Sequence, residues 1–302
     1  TVYEGGGVEL ADWSRDGKWI AVVQKIDDAS SVKIGILSVA SGTFKELKNL
    51  SGLGSLGKVR FSPDGKFVAY GWTSNPVSKE SIYVLSSDGN SEVRVPGLEN
   101  RESSLAGWSP DGKAILFTSA RAGTTDLWAM SFIDGKAQGA PVGLRADTGR
   151  KFNLLGWSDS GALYYSMTRG GGGKPMLQMA TVDPTNSRFS SFPVTGFALA
   201  GEIKYNFRWS ADGKSFAYLR QLPQDDEATL MLRTTETGES HELRPNKPIA
   251  IEYLEAWSPD SGSLWMHASD EGGWGRVYRV DTTGDARAVV DSNDGKIGRA
   301  HV

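Results

Sequence analysis

A short motif recurs six times along this chain and constrains its fold more than any other feature. Its fullest form is Gly-Trp-Ser-Pro-Asp-Gly-Lys at 107–113, and the other copies stand at 13–18, 61–66, 157–161, 209–214 and 257–262. From aromatic to aromatic the steps are 48, 47, 49, 52 and 48 residues, so the copies run through most of the 302-residue chain. Self-similarity at such a period marks a repeat architecture, and a four-stranded propeller blade is the unit that needs a repeat of this length. The expectation is an all-β, six-bladed β-propeller with four antiparallel strands per blade around a central channel, forming a single domain over 1–302.

Each repeat reads as four strands joined by turns. In the third, 103–108 is the inner strand and the Ser-Pro-Asp-Gly turn follows it. Proline presets φ for the second position of a type I turn, aspartate tolerates the next, and glycine supplies the left-handed residue from which the chain re-enters a strand. Strands at 114–118 and 126–132, an Asp-Gly turn at 134–135 and an outer strand near 141–144 complete the unit. Middle strands such as 67–71 and 82–85 are apolar on both faces, as strands sandwiched between blades should be, whereas outer strands such as 92–95 alternate. The motif aromatics then pack between neighbouring blades. Arg15, Asp159 and Ala211 replace the proline and Ser261 is inserted before a glycine; these changes alter turns and leave the number of repeats untouched.

Composition narrows the functional classes. The 37 glycines, 39% hydrophobic and 23% charged residues suit a glycine-turned all-β protein. A net charge of −3 with dispersed Lys and Arg gives no basic stripe for nucleic acid, and no apolar run is long enough to span a bilayer. Without cysteine there is no disulfide, thiolate metal site or thiol nucleophile. The opening Thr1-Val2-Tyr3-Glu4 is neither a start methionine nor a signal peptide, so a processed or excised product is expected. Residues 1–7 read as the tail of an outer strand and its linker, 286–290 as the last repeat's outer strand, and 296–302 as the beginning of a further repeat. A closed ring is preferred to a piece cut from a longer propeller because closure removes exposed sheet edges.

The motif set resembles that of the TolB-like propellers, whose repeats carry the Trp-Ser-Pro-Asp-Gly-Lys signature, and more distantly that of tricorn-type propellers. The likeness covers all six repeats, from about Asp12 to Asp281, and includes Ser-Ala-Arg-Ala-Gly at 119–123 ahead of Asp126-Leu127-Trp128. It implies a bacterial protein of the periplasm or cell envelope; a monomer is expected. The same fold serves as a docking platform, as a domain appended to peptidases and kinases, and as a sugar-active scaffold, so activity has to be argued from the site.

The familiar catalytic motifs fail on inspection. Gly-Trp-Ser at 107–109 and 156–158 begins like a nucleophile elbow but lacks the second glycine and the strand-to-helix setting, which leaves the serines as turn residues. The glycine run before Lys174 has Pro175 where a phosphate loop needs Ser or Thr. The stretch 291–295 misplaces the second aspartate of a calcium loop and lacks its closing glutamate. Asn49-Leu50-Ser51 is a glycosylation triplet common by chance. His241, His267 and His301 lie on an outer strand, a second strand and the terminus, and do not converge as metal ligands would. No catalytic residue, metal or cofactor is expected.

On this scaffold a ligand belongs at the channel mouth, where the inner strands begin and the loops before them project. Reading back from each motif aromatic places Glu9, Lys58, Arg101, Lys151, Asn153, Glu202, Lys204, Tyr205, Glu252 and Tyr253 there. Four basic groups, three acids and two tyrosines suit a peptide or sugar contact. The expectation is a non-catalytic module that docks a protein or peptide at the mouth, with a small sugar as the other ligand. The rival reading is a carbohydrate hydrolase or lyase using Glu9, Glu202 or Glu252 as acid and base. A third is the regulatory propeller of a larger enzyme such as a peptidase or kinase.

Overall fold

A computed structural model of the chain describes residues 8–25, 31–99, 101–121, 124–145, 150–157, 162–169, 175–183, 188–189, 194–197, 203–221, 227–270 and 275–288. Between 145 and 206 it places the backbone of these, with the side chains of Leu163 and Tyr165. The stretches 1–7, 170–174 and 291–302, with His301, lie outside the described residues, as does the motif turn at 158–160.

The strands group in chain order into antiparallel sheets. The first sheet is Val8–Trp13, Trp19–Lys25, Ser31–Ser38 and Phe44–Ser51, and the second is Ser55–Phe61, Phe67–Thr73, Ser81–Ser86 and Glu92–Arg94. The third is Ser103–Trp108, Ala114–Arg121, Thr124–Ile133 and Lys136–Arg145. The fifth is Ile203–Trp209, Ser215–Arg220, Thr229–Thr234 and Ser240–Glu242, and the sixth is Ala250–Trp257, Ser263–Ser269, Gly275–Asp281 and Ala286–Ala288. These five are the four-stranded blades. The expectation of six such blades is therefore corrected to five.

The remaining sheet, fourth along the chain, has five strands. Arg150–Trp157, Ala162–Arg169 and Pro175–Asp183 are followed by two short strands, Arg188–Phe189 and Val194–Phe197, which both pair with Pro175–Asp183. The reason is legible locally: Pro184 follows the third strand and Pro193 falls between the two short ones, and proline has no N–H to give to a ladder.

The motif turn is a closed hydrogen-bond circuit, which explains why the same residues recur. In the first copy Ser14 Oγ donates to Asp16 Oδ1 at 2.7 Å, the same carboxylate oxygen accepts from Lys18 N at 3.1 Å, and Ser14 Oγ accepts from Trp19 N at 2.9 Å. Gly17 N donates back to Ser14 O at 2.9 Å, at a φ of 72° that glycine adopts without cost. The same circuit joins Ser62, Asp64 and Phe67, Ser109, Asp111 and Ala114, Ser210, Asp212 and Ser215, and Ser258, Asp260 and Ser263.

The sheets are arranged as a ring. Each first strand lies beside the first strands of the sheets before and after it, and that of the first sheet lies beside that of the sixth. Cores form between sheets: Ile82 and Val84 of the second pack with Trp108, Ile115, Phe117 and Met130 of the third. Burial of each such side chain is worth roughly 1.5–3 kcal/mol. Across the junction of first and last sheets, Trp13 meets Trp265 edge to face with ring centroids 5.5 Å apart. Among the described residues no helix is long and apolar enough to cross a membrane.

Candidate functional site

Every inner strand carries a β-bulge shortly before its motif aromatic. The register slips between Leu10 and Asp12, Leu56 and Val59, Leu105 and Gly107, Leu154 and Gly156, Lys204 and Phe207, and Leu254 and Ala256. A bulge takes a residue out of the ladder and leaves its carbonyl free for another donor. Two arginines, each immediately ahead of a motif aromatic, use those carbonyls. Arg60 NH1 donates to Ala11 O of the first sheet at 2.8 Å and to Val59 O at 2.9 Å. Arg208 Nε donates to Glu255 O of the sixth sheet at 2.5 Å, and its NH1 to Phe207 O at 2.8 Å.

The corresponding position of the first sheet is Asp12. Its Oδ2 accepts the Phe61 amide at 2.8 Å, which ties the first two sheets together where Phe61 replaces the usual indole. Elsewhere a motif indole makes that link: Trp108 Nε1 donates to Arg60 O at 3.2 Å and Trp257 Nε1 to Arg208 O at 2.8 Å. Burial pushes the Asp12 carboxyl up, against the pull of Arg60 and two backbone amides, and burial together with Arg60 lowers Arg208. The other three residues at this position are Gly107, Gly156 and Ala256, whose small size leaves room beside two long side chains.

Two cavities flank this layer. At the turn end, about 240 Å³ is bounded by Trp13, Arg15, Phe61, Trp108 and Asp212, from four different sheets, and so lies on the ring axis. Towards the mouth, about 620 Å³ opens between the first and second sheets beside Glu9, Leu10, Val32, Leu56, Lys58 and Arg60. Arg60 borders both and divides one from the other.

The mouth residues expected from the sequence meet different fates. Lys58 and Glu9 share the larger cavity. Lys58 is half-buried because the bulge sets Gly57 and Lys58 against the single partner residue Gly71. Burial brings its amine down to about 8, with Arg60 adding to the effect and Glu80 opposing it. Glu9 is exposed and paired with Lys25 at 2.6 Å. Glu252 is exposed and accepts from Ser269 Oγ at 2.6 Å. Tyr253, 39% exposed, stacks on His267 with centroids 4.4 Å apart. Burial and the charges of Glu255, Glu252 and Glu9 push its phenol up to about 12. Arg101 lies exposed in the loop before Ser103–Trp108 and borders neither cavity. Glu202 and the side chains of Lys151, Asn153, Lys204 and Tyr205 lie outside the described residues.

Several groups escaped the sequence reading. Asp12, Arg60 and Arg208 were within reach of it, since aligning the repeats and reading the column before each aromatic gives Asp, Arg, Gly, Gly, Arg and Ala. Glu255 and His267, whose Oε1 and Nε2 lie 3.2 Å apart, have no such signal because a bulge aims one and a cross-strand neighbour the other. Glu80 precedes a third strand, yet it reaches across to accept from Leu105 N of the third sheet at 3.0 Å.

Comparison with known proteins places this ring among relatives. No curated protein sequence matches the chain. Among solved structures, TolB from Acinetobacter baumannii superposes with a TM-score of 0.62 at 19% identity, over 89% of this chain and 65% of that one. The chain thus spans less than two thirds of that protein's length. The β-propeller domain of the trilobed protease from Pyrococcus furiosus, described as having an open velcro topology, gives 0.63 at 13% identity over 95% of this chain and 86% of that one. An oligogalacturonate lyase in complex with manganese gives 0.57 at 12% over 89% and 87%. At such identities these likenesses establish the fold. The sequence profile of the TolB β-propeller domain, PD40, matches residues 10–188, and with more than half of its length so matched, this chain belongs to the TolB β-propeller domain family.

Proposed function

We propose that this propeller is a non-catalytic docking module that holds an extended protein or peptide segment at its channel mouth. The observation that carries the reading is the cavity of about 620 Å³ between the first two sheets, within the roughly 300–1,000 Å³ of typical ligand sites. It offers apolar walls and a few convergent charges, and the exposed Tyr253 ring lies on the same face. Aromatic area with adjacent charge is the usual composition of a peptide-binding surface.

Of the three acids that an enzyme on carbohydrate would employ, Glu202 lies outside the described residues and the other two are engaged: Glu9 with Lys25 and Glu252 with Ser269. General acid–base work needs a carboxyl free to exchange a proton with the substrate. The family resemblance supports a location in the bacterial periplasm or cell envelope.

The reading is tested by panning a displayed library of random peptides against the immobilised protein, then measuring the selected peptides on Tyr253→Ala and Glu252→Ala. Losses of about tenfold or more are expected for the Tyr253 variant. Selected peptides that bind both variants as tightly as the parent would remove the mouth from the reading. Turnover of an acidic oligosaccharide by the parent would replace docking with catalysis.

A further inference from the structure

We infer that His267 is the positioning residue of the docking surface: held by Glu255, it fixes the exposed Tyr253 ring in place before a peptide arrives. The inference rests on the docking reading and names what presents the ring that the peptide meets.

The backbone comes first. The other inner strands slip register once, but Ala250–Trp257 slips twice, between Ile251 and Tyr253 and again between Leu254 and Ala256. Bulges re-aim side chains and gather beside functional sites. Here they take Glu252 and Glu255 out of the ladder on either side of Tyr253. Each is then tied to the neighbouring strand, Glu252 Oε1 accepting from Ser269 Oγ at 2.6 Å and Glu255 Oε1 standing 3.2 Å from His267 Nε2. Glu255 O also accepts from Arg208 Nε of the fifth sheet. The stretch that carries Tyr253 is fastened on both sides.

The ring comes second. Tyr253 and His267 face one another across the two strands, and their rings lie 4.4 Å apart, centroid to centroid, at 17° to each other. Imidazole thus covers one face of the phenol ring, while the residue as a whole is 39% exposed, so its open face and edge are what a ligand meets. His267 and Glu255 are both half-buried, with side chains 19% and 15% exposed. Replacing such a pair by apolar side chains of similar volume is often neutral or stabilising, so its use here is orientation rather than stability. An imidazole held at Nε2 does not swing away from the ring it supports. Ordering a side chain on binding costs affinity, and a ring ordered beforehand avoids that cost.

The probe is a peptide from the displayed library whose binding depends on Tyr253. Expected are nuclear Overhauser contacts between the Tyr253 and His267 rings in the free protein, assigned with Tyr253→Phe and His267→Phe and unchanged in the peptide complex. His267→Ala, which removes the support, should weaken the peptide roughly two- to tenfold, and His267→Phe, which restores a ring to stack on, should bring it back to within about twofold of the parent. A merely structural role would lower the thermal midpoint of His267→Ala and leave peptide affinity alone. Ring contacts missing from the free protein, or a His267→Phe variant as weak as His267→Ala, would overturn the inference. Where His267→Ala does not fold, the contacts in the free parent and the affinity of His267→Phe decide it. If His267→Ala binds like the parent while Tyr253→Ala does not, docking stands and the positioning role falls; if no selected peptide depends on Tyr253, both fall.

Discussion

Lys58 shows how a single residue is set by its surroundings. The unfolded chain holds its ammonium proton up to the ordinary value of 10.5, but the folded state only to about 8, because burial and Arg60 outweigh Glu80. Between those values the unfolded state binds more protons, so this group makes stability rise with pH there, and below about 8 its buried charge is a steady cost. Lys58→Met should therefore be more stable than the parent at pH 7, by roughly 1–3 kcal/mol. The advantage should shrink as pH climbs through that window, which urea unfolding at neutral and alkaline pH would reveal. Asp12 predicts the opposite behaviour. Asp12→Ala takes away the acceptor of the buried Phe61 amide and leaves that donor unpaired, and should cost about 1–3 kcal/mol.

At the scale of the element, the motif turn is held by its serine and aspartate rather than by the proline that first catches the eye. Copies with Arg15 or Ala211 in the proline place close the same circuit as the copies with Pro63 and Pro110. Ser62→Ala removes one bond given to Asp64 and one accepted from Phe67, and should cost about 1–2 kcal/mol in chemical unfolding. Asp16 and Asp260 are held below the usual aspartate value, chiefly by the hydroxyls of Ser14 and Ser258. Their contribution is present above the unfolded value near pH 4 and is lost as pH falls through the folded one. Asp260→Ala should accordingly flatten the loss of stability below pH 4, measured as thermal midpoints in an acid series. The bulges are the other device of this scale. No single residue type marks them in all six copies, so they are not legible in the repeat, and they decide where Lys58 and Glu255 stand.

For the whole molecule the decisive junction is between the first and last sheets. Among the described residues every sheet is built from consecutive strands, and side chains and turns of the first and sixth sheets meet across that junction. Gly17 and Gly65 occupy the same place in two copies of the motif, at φ 72° and 70°. A Cβ on Gly65 would meet nothing, whereas one on Gly17 would stand 2.9 Å from Pro259 of the last sheet. Gly65→Ala should cost about 1–2 kcal/mol for the left-handed backbone alone. Gly17→Ala should cost about 1–3 kcal/mol more for the crowding, and the difference between the two measures how tightly the ring is shut. Equal losses would mean that the junction yields.

The sequence alone determined the repeat, the turn at the foot of each unit, the apolar middle strands and hence the propeller, because all of these follow from spacing and local backbone preference. It put Lys58 and Glu9 on the same side of the ring for the same reason, both lying a few residues before a motif aromatic, and they line one cavity. It did not determine how many four-stranded blades result, since the outer position of the fourth sheet is divided between two short strands while the motif count stays the same. Nor did it disclose the arginine layer that divides the channel. Those arginines bond to carbonyls that only a bulge in a neighbouring sheet sets free, and a contact between strands 47 to 49 residues apart exists only once the ring has formed.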